Sequence, residues 1–251
     1  MFSIFLSLLM GLVVGGTFRL TGLVHSVAGA ITPGVIATLI TAVFLLRRVG
    51  NLINPLVEEA QRHLQGGRRE LALKALRSGM RLAPWHPLIA PQLRTQIGVL
   101  LYAGGDLDGA IPELARGSKR PWEGRAFLGC AYFRKKMDDS LMVKAFETAT
   151  KVAPKEGIAW TLYAYCLAAR GKKDAAVAVL KRGLAANPGD GRIEANIELT
   201  ETGKKLKVAP YGNTWAAFGL DGSQPVPANV PKAMRGFAQR PGFRQKPQRK
   251  R

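Results

Sequence analysis

The side chains able to do chemistry are few in this sequence, and they do not assemble into a reacting set. His25, His63 and His86 stand in unlike contexts, and Asp138 and Asp139 are adjacent in a stretch that reads as a solvated turn between helices, not a catalytic pair. Cys130 and Cys166, the two cysteines, have no C-x-x-C spacing and no paired histidines nearby, so neither a zinc site nor a redox motif is indicated. Both fall inside apolar helical patterns and read as small buried side chains. G-x-S-x-G, H-E-x-x-H, the Walker A loop and a G-x-G-x-x-G following a strand are all missing. The expectation is therefore a non-enzymatic chain without catalytic residues, cofactor or metal.

Charge is the next chemical signal. The 251 residues carry a formal net charge of +20, which favours anionic lipid, nucleic acid or acidic protein partners. No acidic residue precedes Glu58, and the only charged side chains before Val49 are Arg19, Arg47 and Arg48. Residues 207–251 hold nine bases and one acid. Within them Arg244, Lys246, Arg249, Lys250 and Arg251 are candidate contacts to an anionic surface, worth roughly 1 kcal/mol per base on anionic lipid. The same cluster suits RNA phosphates; lipid is preferred because an anchor would already hold it close.

That anchor is read at the N-terminus. Residues 1–18 contain no charged side chain, and residues 20–46 contain none beyond a protonated His25. A bilayer core of about 30 Å needs about 20 apolar residues in a helix, so two spans are expected, 1–18 and 28–46. A secretory signal peptide is the competing reading of the first, but no basic n-region precedes it. Arg47 and Arg48 at the exit of the second span place the following domain, and with two spans the N-terminus also, on the cytoplasmic side. The hairpin and its positive-inside pattern point to a bacterial inner membrane, with an organelle membrane the alternative. Gly11 and Gly15, with Ala30 and Gly34, give small-residue spacings for close helix packing, within the chain in preference to a homodimer. Pro33 is expected to kink or begin the second span. Neither span holds an acid, which argues against a transporter or proton relay.

The elements beyond residue 48 follow from an internal repeat. Pro84, Pro121, Pro154 and Pro188 recur at spacings of 37, 33 and 34 residues. About 17 residues before each stand Gly67, Gly105, Met137 and Gly171, the glycines suited to the positive φ of a tight turn. Then come Ala72, Ala110, Met142 and Ala176; Leu76, Leu114, Phe146 and Leu180; and Gly79, Gly117, Ala149 and Gly183. Spacings of three and four place these on one helical face, so each unit reads as two antiparallel helices.

The pattern resembles the tetratricopeptide repeat, a helix-turn-helix module of 34 residues. The fourth unit, 157–190, carries the resemblance best through Trp160, Tyr163, Ala164, Leu167, Gly171, Ala176, Leu180 and Pro188. The third, 123–156, has Ala126 where an aromatic is expected, the second, 91–122, has Pro112 early in its second helix, and the first, 53–86, has His63 at an apolar position. The expected fold is all-α: a transmembrane hairpin over 1–48, an α-solenoid of about four such helix pairs with a polar capping helix over 49–206, and a basic disordered tail over 207–251.

The resemblance implies a groove lined by the first helix of each pair, one that commonly holds a peptide or a partner's helix. Matching positions here are Gln61, Thr95, Tyr102, Phe127, Ala131, Arg134, Lys135, Thr161 and Tyr165. Aromatics beside bases suit a peptide with apolar and acidic groups. Tyr211, Trp215 and Phe218, spaced by four and three, could form one turn that docks on a partner or, preferably, on the last repeat. The expected function is a membrane-anchored scaffold for an unidentified protein, with a membrane-tethered nucleic-acid or lipid binder acting through the tail as the alternative.

Overall fold

The computed structural model describes residues 2–21 and 27–220, and among them every regular element is helical. Helices α1 (Phe2–Leu20) and α2 (Val27–Gln65) form an antiparallel hairpin. Both are long and apolar enough to cross a membrane by length and composition, with mean hydropathies of 1.7 and 1.6 over their best windows. Their backbones touch where they cross. A Cβ on Gly11 would stand 2.6 Å from the Gly34 carbonyl oxygen, and one on Gly34 would stand 2.8 Å from that of Gly11 and 3.5 Å from Cα of Gly15. The small residues thus face each other within one chain, which lets the two helices approach closely. The side chain of Ala30 lies outside the described residues.

The structure does not break the chain at residue 48. Helix α2 runs uninterrupted for 39 residues, so its apolar first part and the first helix of the repeats are one rod. Nothing between Arg47 and Leu52 demands a turn, and Ile53, Val57 and Ala60 already bury one face of the rod against the next helix. Pro33 neither begins nor ends the helix but sits in its second turn, and Pro55 is also internal.

Beyond α2 come α3 (Arg69–Gly79), a 3-10 turn (Met80–Trp85), α4 (Ile89–Ala103), α5 (Leu107–Ala115), α6 (Trp122–Arg134), α7 (Asp139–Val152), α8 (Gly157–Ala169), α9 (Lys173–Ala186) and α10 (Gly191–Glu201). Helices pair as α2 with α3, α4 with α5, α6 with α7 and α8 with α9, and α10 covers the open side of α9. The crossing within the second, third and fourth pairs needs a small residue. A Cβ on Gly98 would meet the Leu114 side chain at 2.6 Å, and one on Gly129 would meet the Phe146 ring at 2.6 Å.

The tight turns explain the repeat's glycines and correct one assignment. Gly67, Gly105 and Gly171 have φ of 69°, 84° and 79°. Each donates its N–H three residues back while the next residue donates five back, as in Gly67 N to Leu64 O (3.0 Å) and Arg68 N to His63 O (2.8 Å). In the third pair the equivalent residue is Lys136, at φ 52°, and not Met137, which supplies the five-back bond to Tyr132 O. A lysine takes this conformation at a cost of about 1 kcal/mol, offset by the two hydrogen bonds it completes.

The adjacent aspartates are structural. Asp138 caps α7 by accepting from Ser140 N at 3.0 Å, and Asp139 pairs with Arg170 (3.4 Å) and Lys172 (2.9 Å) of the next hairpin.

A second correction concerns the segment after residue 206. Residues 207–220, placed in a disordered tail whose one expected ordered feature was a docked turn at Tyr211, Trp215 and Phe218, fold back over the repeats as a 3-10 turn (Ala209–Tyr211) and the short helix α11 (Gly212–Ala216). Tyr211, Trp215, Phe218 and Leu220 are buried. Composition misleads here because aromatic side chains bury 150–250 Å² each, enough to order a short segment that has no period of its own.

Candidate functional site: the inner helical face and its occupant

Helices α4, α6 and α8, the first members of pairs two to four, lie side by side and present one face. The segment 207–220 lies on it, so the site is best described from both sides at once. Approach to the face begins at α10, where the fully buried Asn196 clamps the backbone of Lys207: its amide nitrogen donates to Lys207 O (3.2 Å) and its oxygen accepts from Lys207 N (2.6 Å). The Arg192 guanidinium then covers the Tyr211 ring at 4.9 Å.

Three aromatic side chains follow. The Tyr211 hydroxyl meets Thr161 Oγ1 on α8 at 2.8 Å. Trp215 packs edge-on against Tyr165 with ring centroids 5.1 Å apart. Phe218 stacks on Phe127 of α6 at 4.4 Å, with Trp122 at 6.5 Å on the same helix. Backbone carbonyls are read as well: Tyr102 donates to Phe218 O (2.5 Å) and Tyr165 to Leu220 O (3.3 Å). The face therefore holds its occupant through apolar burial at three side chains and hydroxyl donors at two carbonyls, the combination that fixes a peptide's place along a groove.

Burial sets the electrostatics. It pushes the Tyr102 phenol far above its ordinary value, reinforced by the Cys130 thiol and opposed by the adjacent Arg134, and it raises the Tyr211 phenol too, against its bond to Thr161. Both phenols stay neutral and remain donors at physiological pH. Burial likewise raises the Cys166 thiol, and Cys130 and Cys166 are fully enclosed core side chains.

Of the nine positions inferred from the resemblance, Tyr102, Phe127, Thr161 and Tyr165 touch the segment. Arg134 sits over the Tyr102 ring at 5.1 Å and backs it. Ala131 is enclosed in the core. Thr95 is buried between pairs, accepting from Ser118 N (2.8 Å) and donating to Pro91 O (3.0 Å). Lys135 turns to Asp108 on α5 at 2.9 Å, and Gln61 stands half-buried on α2 in the first pair. Trp122, Arg192 and Asn196 belong to the site but were not singled out from sequence. The lone Asn196 among the glutamates of α10 was the available signal; Trp122 stands five residues before Phe127, a spacing that places no two residues on one helix face. Arg244, Lys246, Arg249, Lys250 and Arg251 lie outside the described residues.

Comparison with known proteins adds the following. A family model described as tetratricopeptide repeat matches residues 57–126 and 143–191. Two solved structures, titled as crystal structures of MamA and of MamA protein, are similar to this chain at 18% and 15% identity. The first match covers 57% of this chain and 83% of the other with a TM-score of 0.47, and the second covers 72% and 91% with a TM-score of 0.46. The search of curated proteins returns no match.

Proposed function

The repeat region of this chain belongs to the tetratricopeptide repeat family, a protein-interaction scaffold fold, and from that premise we propose a membrane-anchored scaffold that holds a partner protein at the cytoplasmic face of a bacterial inner membrane. Two apolar helices at the start of the chain support the anchor. Arg47 and Arg48 at the exit of the second support a cytoplasmic repeat domain.

The partner surface is the face of α4, α6 and α8, and the observation that carries this reading is its occupant. A face that accepts Tyr211, Trp215 and Phe218 from one short segment, and hydrogen-bonds two of its carbonyls, accepts a partner segment of the same chemistry. The partner's segment takes the place of residues 207–220. Because that occupant is tethered, it competes at an effective concentration in the millimolar range. A soluble ligand of micromolar affinity would then bind weakly, whereas a partner confined to the same bilayer gains local concentration of its own and can exchange with the segment.

The test uses a labelled peptide spanning residues 207–220, added to the detergent-solubilised full chain. Trp215→Ala with Phe218→Ala should weaken the internal occupant and tighten binding of the added peptide. Adding Tyr165→Ala should abolish that gain. Equal binding to all three chains would mean that this face is packing only, with the partner held elsewhere.

A further inference from the structure

The 3-10 turn Met80–Trp85 and the two residues before α4 form a surface that the scaffold reading leaves unused. The turn sits against the start of α1: Ser3 Oγ donates to the Trp85 carbonyl, and the Phe2 and Trp85 rings are 5.8 Å apart. With Gly11 crossing Gly34 in an antiparallel hairpin, the start of α1 lies level with the part of α2 just before Arg47 and Arg48. The turn is therefore held at the mouth of the two apolar helices.

Its exposed side chains are unusual for the surface of a repeat domain. Trp85 is 43% exposed and Leu88 63%, and Leu52, just past Arg48 on α2, is 52%. Of the four tryptophans, Trp160 and Trp215 are buried and Trp122 half-buried, which leaves Trp85 as the exposed one. Bases predominate nearby, the acids on α2 and α3 being Glu58, Glu59 and Glu70. No acid occurs before Glu58, and none between Leu71 and Gly105, a stretch that carries Lys74, Arg77, Arg81 and Arg94. Lys74, Arg77 and Arg81 are exposed on α3 and the turn.

We infer that Trp85 and Leu88, flanked by Arg47, Arg48 and Arg81, dock the first repeat into the headgroup region of an anionic bilayer. Indole rings settle at the membrane-water boundary because one edge is polar and the body apolar, and arginines beside them extend along the apolar surface while meeting lipid phosphates. Lipid is the occupant because the exposed Phe2 ring, against Trp85, joins the patch to the apolar surface of α1. The turn presents a neutral imidazole there: burial lowers the pKa of His86, whose Nδ1 accepts from Leu88 N at 3.1 Å. The contact adds a third point of attachment to the hairpin's two and so sets which way the repeat stack leans over the bilayer. This inference rests on the membrane-spanning reading above.

The experiment reconstitutes the full chain, wild type and Trp85→Phe, into vesicles of phosphatidylglycerol and brominated phosphatidylcholine. Alkaline extraction is done first. Resistance to extraction, blue-shifted wild-type emission quenched by the bromines, and loss of that quenched component in Trp85→Phe are the expected results. Resistance with identical quenching in both chains overturns the docking and leaves the spans intact. Extraction of both chains overturns the docking together with the membrane reading. A thiol-reactive environment-sensitive dye on Leu88→Cys, read against the enclosed Cys130 and Cys166, gives the same decision without altering the tryptophan.

Discussion

The Tyr211 hydroxyl and Thr161 Oγ1 are hydrogen-bonded at 2.8 Å across 50 positions of sequence. Thr161 Oγ1 also lies 3.1 Å from the Gly157 carbonyl one turn back on α8, so the hydroxyl pair is tied into the helix that carries it. This is the polar anchor of the occupant, while Trp215 and Phe218 are the apolar ones.

The two kinds of anchor differ in size. Tyr211→Phe removes one buried hydrogen bond and should cost about 1 kcal/mol. Trp215→Ala empties a buried indole site and should cost about 3 kcal/mol or more. Thermal melting of the solubilised chain, followed by circular dichroism, checks the order; a larger loss for Tyr211→Phe would show that the hydroxyl pair, not the apolar burial, holds the segment.

Alkali should loosen the occupant. Burial raises the folded-state values of Tyr102 and Tyr211. The stabilisation of their neutral forms is thus complete below the unfolded value of about 10 and declines as pH rises beyond it. Trp215 emission should shift toward that of exposed indole above pH 10, and less steeply in Tyr102→Phe. A shift independent of pH would remove the phenols from the account.

On the other side of the stack, Glu147 accepts both Arg182 nitrogens at 2.8 Å and the Tyr163 hydroxyl at 3.1 Å. The Arg182 bonds hold its carboxyl below the usual range, and burial, with Glu147 adding to it, pushes Tyr163 up to about 12. A depressed carboxyl stabilises the fold above its unfolded value and loses that contribution as pH falls through the folded one. Because both ionic side chains are substantially exposed, Arg182→Gln should cost only about 0.5 kcal/mol at neutral pH. The difference from wild type should vanish in acid.

Close approach within a pair is testable at Gly129. An alanine Cβ there meets the Phe146 ring at 2.6 Å, so Gly129→Ala should destabilise by about 1–3 kcal/mol. Gly129→Ala with Phe146→Leu should recover part of the loss. Failure of the pair to couple in melting experiments would mean that the helices separate at no cost.

Salt separates the scaffold from its alternative. If the bases near residue 251 carry the function through phosphates, retention of partners should fall steeply between low and physiological salt and disappear when residues 221–251 are removed. Retention that survives both treatments, yet fails with Tyr165→Ala, places the function on the helical face.

Local pattern determined most of this architecture. The prolines from Pro84 to Pro188 and the small and large residues at spacings of three and four were sufficient for four helix pairs and the α10 cap. In such a stack each helix is stabilised by neighbours close in sequence. Gly11 and Gly34 marked the hairpin crossing for the same reason. Only the tertiary structure decided what lies on the face of α4, α6 and α8. Tyr102 and Phe218 are bonded across 116 positions, and no period in residues 207–220 announces it. The spacing of Tyr211, Trp215 and Phe218 was visible, but whether three aromatics order a segment depends on the shape of a surface assembled from distant helices. The same holds for α2. Its apolar and amphipathic halves were legible separately, while their union into one rod is seen only in the helix that continues through residues 47–52, where composition alone suggested a boundary.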